Sequence, residues 1–336
     1  MQLARTDDSW ATSATSTLRL RLRLGGGNWR LCADAGAMLG NSPTSGDWTV
    51  TTEVERAYLK VLLPWADLNL GRQEINWGVG YAWSPTDVFG AAKTLDAGGL
   101  RRGVDAVVMR IPTAPLSYLS LVAAPDGDAV HGGVLDTWRY AARYHGNAGG
   151  TDWSLAAAQD PDTTMVGADA KGDLVVGELS IGWHAEVAHH TPRDAGSGPW
   201  VEGLLGADYS WNGGKVIWAG EYFYDSRGAA TQDAYDYVSW LAGDRQHLAR
   251  HYAFTQLAYA HDEFTSISGS VLANLVDRSA VATAGATVLL SDGCSLSLSA
   301  TALSGSQGDE FSGRPHPGAP PGRPDLMLRA LATYSF

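Results

Sequence analysis

Alternation of apolar and polar residues at every second position is the feature that most constrains this chain. In Thr17–Leu24, leucines occupy the even positions, and Arg19, Arg21 and Arg23 lie between them. Successive side chains of a β-strand point to opposite faces, so the stretch places its leucines on one face and its arginines on the other. A strand of a soluble β-sandwich has the same period, so this stretch alone does not separate a sandwich from a membrane barrel.

The lengths of the breaks between alternating stretches favour the barrel. Seventeen strands of about ten residues are predicted, the first at Thr17–Leu24 and the last at Met327–Phe336. Short connections alternate with long ones, and the long ones are predicted at Asn76–Gly103, Ala124–Thr137, Thr191–Pro199, Asp225–Ala249 and Ser304–Asp325. Short turns on one rim and long loops on the other are typical of outer-membrane barrels. We therefore predict an all-β, transmembrane, antiparallel up-and-down barrel of about 16–18 strands.

The odd number of predicted strands leaves one strand unassigned at the start of the chain. Bacterial single-chain barrels have an even number of strands, so either Met1–Ser16 supplies the missing one or it was removed with a leader. The opening residues Met1–Asp8 are too polar for the apolar core of a signal peptide. The repeat shows no boundary, so residues 1–336 are predicted to form one domain, with long loops at about 76–103, 225–249 and 304–325.

Composition excludes several classes of protein. No run of 18 apolar residues occurs among the 336, so a transmembrane helix is not predicted. The net charge of −12 argues against a nucleic-acid partner. The two cysteines, Cys32 and Cys294, form neither a disulfide framework nor a metal-ligand spacing, and no nucleotide-binding motif occurs. We expect no metal and no cofactor. In the loop region Ala230–Leu248, the spacing of Tyr237, Trp240 and Leu241 predicts a short helix.

The stretch Leu68–Gly90 departs most clearly from the pattern. It begins as an alternating strand, then becomes a run of Gly, Trp and Pro, and alternation returns only at about Val104. A long irregular segment must be buried or must line a cavity. We predict that it folds partly into the barrel lumen and narrows the pore. A surface active-site loop of a soluble β protein is the alternative.

The motif within this stretch resembles a pattern in large Gram-negative outer-membrane barrels. Its parts are Gly71–Gly78, Trp83–Phe89 and Arg102–Ala106. The resemblance is to the porin-like group that includes alginate-export-type channels and their uncharacterised relatives. It covers about 35 residues and implies a 16- to 18-stranded barrel whose loop helps to shape the pore, without identifying the solute. The lumen-loop residues predicted from it are Trp77, Trp83, Pro85, Asp87, Arg102 and Asp105.

Charged residues on the predicted inner faces separate into two arcs. The basic arc comes from the first strands and from the last strand, which closes against them: Arg19, Arg21, Arg23, Arg56, Lys60, Arg72, Arg110, Arg139, Arg143 and Arg329. The acidic arc comes from the opposite wall: Asp169, Glu178, Glu186, Glu202, Asp208 and Glu221. Facing walls of opposite charge would set up a transverse field in the pore. The alternative is that each charge merely hydrates a wide lumen.

Function follows from the barrel prediction as an expectation. The chain is expected in the outer membrane of a Gram-negative bacterium, as a channel for passive diffusion or export of small polar or charged solutes. Its expected partners are outer-membrane lipid, a small polar solute and the barrel assembly machinery, which recognises terminal aromatic residues such as Phe336.

Two rival functions are an outer-membrane hydrolase and a plugged structural or adhesive barrel. A hydrolase needs a nucleophile, a base and an orienting group within hydrogen-bond reach. Histidines lie near acids at His184, His189 and His190 and again at His247 and His251, but none adjoins a serine in a recognisable hydrolase motif. An enzyme is therefore not expected.

Overall fold

A computed structural model of the chain describes residues 1–6, 9–41, 46–90, 103–125, 138–194, 196, 198–312 and 324–335. Nineteen strands belong to a single sheet. The first nine are β1 Gln2–Thr6, β2 Ser9–Ser13, β3 Thr15–Gly26, β4 Trp29–Asn41, β5 Trp48–Leu62, β6 Asp67–Gln73, β7 Val104–Ala114, β8 Ser117–Pro125 and β9 Trp138–Ala148. The others are β10 Thr151–Gln159, β11 Thr163–Val176, β12 Leu179–Pro192, β13 Trp200–Trp211, β14 Val216–Asp225, β15 His251–Ala260, β16 Thr265–Asn274, β17 Ala280–Ser291, β18 Cys294–Ser304 and β19 Leu326–Tyr334.

The ring of strands closes through β1. This strand pairs with β19 on one side and with β2 on the other, and every pairing around the ring is antiparallel. β2 and β3 are separated by Ala14 alone, and Ala14 still bonds to Asn41 at the end of β4. Counted as one strand, they leave eighteen positions, the even number that an antiparallel ring requires. The all-β barrel prediction is confirmed, and β1 supplies the strand that the sequence left unassigned.

The two faces of the sheet differ in chemistry, as the alternation predicted. Leu18, Leu20, Leu22 and Leu24 on β3 are between 48% and 61% exposed. Similar exposed aliphatic side chains continue around the ring and include Leu155, Val166, Val187 and Leu205. We call this surface the aliphatic face, and a lipid bilayer is what covers such a band. The opposite surface, which carries Arg19, Arg21 and Arg23 on β3, is the charged face.

Hairpin turns fix the register on the short rim. Gly149 and Gly150 both have positive φ, 59° and 83°, and form the two-residue turn between β9 and β10. This turn type matches the right-handed twist of the flanking strands. The turn between β11 and β12 corrects one member of the predicted acidic arc, Glu178. Because Gly177 adopts φ 65°, β11 continues to Val176, and Glu178 lies exposed in the turn instead of on β12.

One short helix, α1 Tyr237–Ala242, lies in the connection between β14 and β15, as predicted, after a single 3-10 turn at Gln232–Ala234. The Asp236 side chain accepts a hydrogen bond from the Ser239 amide at 3.1 Å and caps the helix. The Ser239 hydroxyl also donates to Asp236, at 2.7 Å, and the two bonds lower the pKa of the Asp236 carboxyl. Among the residues that the structure describes, no helix has the length and apolar character needed to cross a membrane.

Candidate functional site

The segment 74–90 lies against the charged face of the sheet. It leaves the end of β6 and packs on strands that follow it around half of the ring. Ile75, Trp77 and Phe89 are buried, and their apolar neighbours are small side chains of β7 to β12, including Ala124 and Ala188. The rings of Trp77 and Phe89 meet edge to face at 5.6 Å. Burial of these aromatic groups supplies the apolar part of the attachment.

Glu186 on β12 is the main polar anchor of the segment. Its carboxylate accepts hydrogen bonds from the Val79 amide at 2.9 Å and from the Thr86 amide and hydroxyl at 2.6 and 2.8 Å. Glu186 is only 3% exposed. An irregular segment has no strand to pair its amides, so buried acceptors must replace the missing partners. Gly78 permits the contact, because a Cβ there would lie 2.5 Å from Glu186 Oε1 and its φ is +80°.

Glu221 on β14 anchors the next turn of the segment. It accepts from the amides of Tyr81 and Ala82, the second at 2.8 Å, and it lies 2.8 Å from His184 Nε2. Gly206 leaves room for the His184 ring, since a Cβ there would lie 2.1 Å from Nε2. Tyr81 itself is 45% exposed, and its hydroxyl donates to Asp208 at 3.3 Å.

Two arginines of β9 hold the ends of the segment. Arg143 donates to both oxygens of Asp169 at 3.0 and 2.9 Å, and this pair is buried beside the Trp77 ring. Arg139 donates to the Val88 carbonyl at 3.2 Å and lies over the Phe89 ring. Both arginines were predicted for the basic arc. In the structure Arg139 contacts the segment, and Arg143 pairs with Asp169 of β11 beside Trp77.

Four arginines of β3 to β6 pair with acids that lie on nearby strands or directly after β6. Arg23 forms two bonds to Asp34 at 2.7 and 2.9 Å, and Arg72 forms two to Asp105 at 3.0 and 2.7 Å. The remaining pairs are Arg19 with Glu55 at 3.3 Å, Arg56 with Glu74 at 2.5 Å, Arg72 with Glu53 at 3.3 Å and Lys60 with Asp67 at 2.8 Å. The sequence interpretation counted the cations of this wall and left out these acids. Asp34 carried a usable signal, because the alternation of β4 places it on the same face as Arg30.

The other predicted residues have individual surroundings. Arg110 stacks over the Tyr118 ring at 4.3 Å. Arg329 on β19 lies opposite Gln2 of β1 on one side and Ser299 of β18 on the other. Glu202 lies 3.4 Å from Arg227 and 3.7 Å from His190. Arg102 and Phe336 lie outside the described residues.

Pro85, Asp87 and Trp83 fix the shape of the segment. Pro85 is buried, and Asp87 accepts from the Gly90 amide at 2.9 Å. Trp83 stacks on Phe223 of β14 at 5.0 Å with a 9° angle between the rings. The aromatic stack joins the segment to the far part of the wall.

Two long connections and the five-residue connection between β16 and β17 meet above the segment. Glu310, from the connection after β18, accepts from the Tyr252 hydroxyl at 2.6 Å and from the Asn274 amide at 2.8 Å. Burial raises the pKa of Glu310. The Tyr235 hydroxyl, from the connection before β15, accepts from Asn274 at 2.8 Å and donates to Asp277 at 3.0 Å. This loop cluster, comprising Tyr235, Asn274, Asp277 and Glu310 with Tyr252 of β15, was not predicted, because its members are far apart in sequence.

The candidate catalytic histidines have structural contacts. His184 bonds to Glu221, and His190 stacks on Trp200 at 4.7 Å. His145, which the sequence did not single out, lies 3.2 Å from Ser154, and within the described part of the chain no carboxylate hydrogen-bonds to that histidine. Also within the described ranges, no three His, Cys, Asp or Glu side chains are grouped closely enough to hold a metal ion.

Comparison with known proteins identifies the fold and not the family. No protein-family model and no curated protein matches the sequence. Solved structures do match. OccK5 (OpdH) of Pseudomonas aeruginosa is 11% identical with a TM-score of 0.65, over 99% of this chain and 94% of that one. The outer membrane protein OprD of Pseudomonas aeruginosa is 12% identical with a TM-score of 0.63, over 99% and 90%.

A third match comes from another organism. OccAB4 of Acinetobacter baumannii is 8% identical with a TM-score of 0.62, over 99% of this chain and 94% of that one. All three support a porin-like barrel fold. They do not support the narrower resemblance to alginate-export-type channels.

Proposed function

We propose that this chain is a porin-like channel of a Gram-negative outer membrane that passes small polar or charged solutes. The observation that carries the proposal is the segment 74–90, whose backbone is held on the charged face by two buried carboxylates, Glu186 and Glu221. A closed barrel with an aliphatic outside and a charged inside has room for water, and an inward segment narrows that room without filling it. Residues 1–336 act as one domain in this proposal, with long loops at 76–103, 225–249 and 304–325.

The proposed pore has two different walls. On the side of the first strands, the basic arc lines open water together with its acidic partners, so its net charge is smaller than the arginines alone suggest. On the opposite side, the predicted acidic arc lies largely behind the segment, since Glu186 and Asp169 are buried. A transverse field therefore depends on the charged residues that remain in contact with water. These include Arg21 and also Asp208, whose carboxylate accepts from the hydroxyl of the exposed Tyr81.

Planar-bilayer recording tests the channel directly. The full chain, refolded in detergent and inserted into a bilayer, should give discrete conductance steps in potassium chloride. A folded barrel that inserts and gives no conductance would favour the plugged structural or adhesive barrel. Removal of residues 79–99 should raise the conductance, because this deletion takes out most of the proposed constriction.

Three finer assignments stay part of the proposal. We propose that the chain is not an enzyme, and a lipid- and peptide-hydrolysis assay on the refolded protein tests this, with a His145→Ala variant to locate any activity found. The relation to alginate-export-type channels rests on the motif at 71–106 alone, and alginate oligomers added to the bilayer chamber should block the current if it is real. Recognition of Phe336 by the assembly machinery would appear as loss of assembly in a Phe336→Ala variant.

A further inference from the structure

A cavity of 420 Å³ lies between the segment and the long loops. Trp83 and Pro85 of the segment line one side, and Trp240, Gln246 and Phe311 from the connections line the other. Pockets of roughly 300–1,000 Å³ with aromatic walls and few polar groups are the usual form of small-molecule sites. On the proposed path of a solute from the loop rim, this cavity is reached before the constriction.

The carboxylates and the arginine of the lining already have partners within the protein, and the His247 ring, which also lines the cavity, lies 3.6 Å from Asp225. Glu202 lies 3.4 Å from Arg227, and Arg245 donates to the Arg227 carbonyl at 2.9 Å and lies 3.8 Å from Asp236. Glu310 accepts from Tyr252 and Asn274. A charged solute would have to displace one of these partners and leave it unpaired, which is costly in a partly buried site. The lining therefore disfavours charged ligands.

The remaining groups suit a neutral ring that has an apolar face and a hydrogen-bonding rim. Trp83, Trp240 and Phe311 offer aromatic surface. The Gln246 amide is exposed and has no hydrogen-bond partner among the described residues, so it is available both to donate and to accept. A sugar ring has an apolar C–H face, which packs on aromatic rings, and a rim of hydroxyls, each able to donate and accept.

We propose that this cavity is a binding subsite for a neutral sugar or cyclitol ring, with the aromatic side chains as its platform and Gln246 as a hydroxyl-binding group. The inference rests on the proposed channel function, because it makes the cavity a stopping point on the path of the solute. It differs from the charged walls beside the segment, which would act on ionised solutes.

Calorimetric titration of the refolded full chain with D-glucose tests the subsite, with L-arginine and benzoate as cationic and anionic probes. Glucose should bind, and both charged probes should bind more weakly. Gln246→Ala should lower the glucose affinity by about five-fold, as expected for one lost neutral hydrogen bond. The matched control is Gln159→Ala, another exposed amide, which lies on β10 and does not line this cavity. This control should leave the affinity unchanged.

A second variant guards against misfolding of the loop. Trp240→Leu removes aromatic surface from α1 and leaves every barrel strand intact, and it should also weaken glucose binding while the heat-shifted electrophoretic mobility of the barrel is kept. Equal affinities for Gln246→Ala and Gln159→Ala, or tighter binding of arginine or benzoate than of glucose, would overturn the proposal. Bilayer conductance without sugar separates the two hypotheses: conductance without glucose binding removes the subsite and leaves the channel, whereas absence of conductance removes the channel.

Discussion

The wall of β9 to β14 and the wall of β3 to β6 carry the same types of charged residue but use them differently. On the first wall, Glu186 and Glu221 are buried and accept backbone amides of the segment. On the second wall, Arg19 and Arg23 keep 39% and 48% of their side chains accessible. Arg23 pairs with Asp34 on the adjacent strand β4, and Arg19 pairs with Glu55 on β5. One face of one sheet thus serves as an anchor on one side and as a solvated surface on the other.

Burial explains why the two walls should respond differently to mutation. A buried carboxylate that satisfies several amides leaves all of them unpaired when it is removed. An exposed ion pair is screened by water and salt, and it contributes little to stability. The anchoring wall should therefore control the shape of the pore, and the solvated wall should control its ion preference.

Removal of the anchor should have the largest effect. Glu186→Ala leaves the Val79 amide and the Thr86 amide and hydroxyl without their acceptor, and should weaken docking of the segment by about 3 kcal/mol. Single-channel conductance should rise and protease should cut the segment more readily. Glu178→Ala is the control, since this carboxylate lies exposed in the adjacent turn. An unchanged conductance in Glu186→Ala would contradict the anchoring role.

A smaller perturbation of the same contact comes from the glycine beside it. Gly78→Ala places a Cβ against the Glu186 carboxylate at a φ of +80°, and should cost about 1–3 kcal/mol. The expected result is the same increase in conductance, weaker than in Glu186→Ala. Gly26→Ala serves as the control, because nothing lies within 4 Å of a Cβ at that position. Equal behaviour of the two glycine variants would show that the segment is not held here.

The loop cluster should respond to pH. Burial raises the pKa of Glu310, so its protonated form favours the docked loops; this contribution is full at acid pH and is lost as pH rises through the raised value. Each unit of the shift corresponds to about 1.4 kcal/mol. Proteolysis of the loops should thus accelerate with rising pH. Glu310→Gln should remove this dependence, and a steep dependence that survives in this variant would contradict the assignment to Glu310.

The smallest effect is expected on the solvated wall. Arg21→Ser removes a cation that lies opposite Asp34, and should shift the reversal potential towards cation selectivity without changing stability. The shift should be largest near 0.01 M salt, where the screening length is about 30 Å. It should vanish near 1 M salt, where the screening length is about 3 Å. Arg30→Ser, at the turn rim, is a matched comparison of lower expected effect. A reversal potential that does not move at low salt would remove Arg21 from the permeation path.

Local periodicity was enough to predict which residues share a face. Leu18 and Arg19 point to opposite sides because successive side chains of a strand alternate, and this holds whatever the neighbouring strands are. The same logic gave the short helix at Tyr237–Ala242 and the departure of Trp77 and its neighbours from any strand.

Contacts between distant parts of the chain were decided by the tertiary structure. The sequence put Glu186 on the inner face, but only closure of the ring brings Val79 and Thr86 to it, 107 and 100 residues away. The register between β3 and β4 turns Arg23 from an isolated charge into the partner of Asp34. Alternation fixes the direction of a side chain and not its distance from others, because distance depends on how every intervening strand is paired.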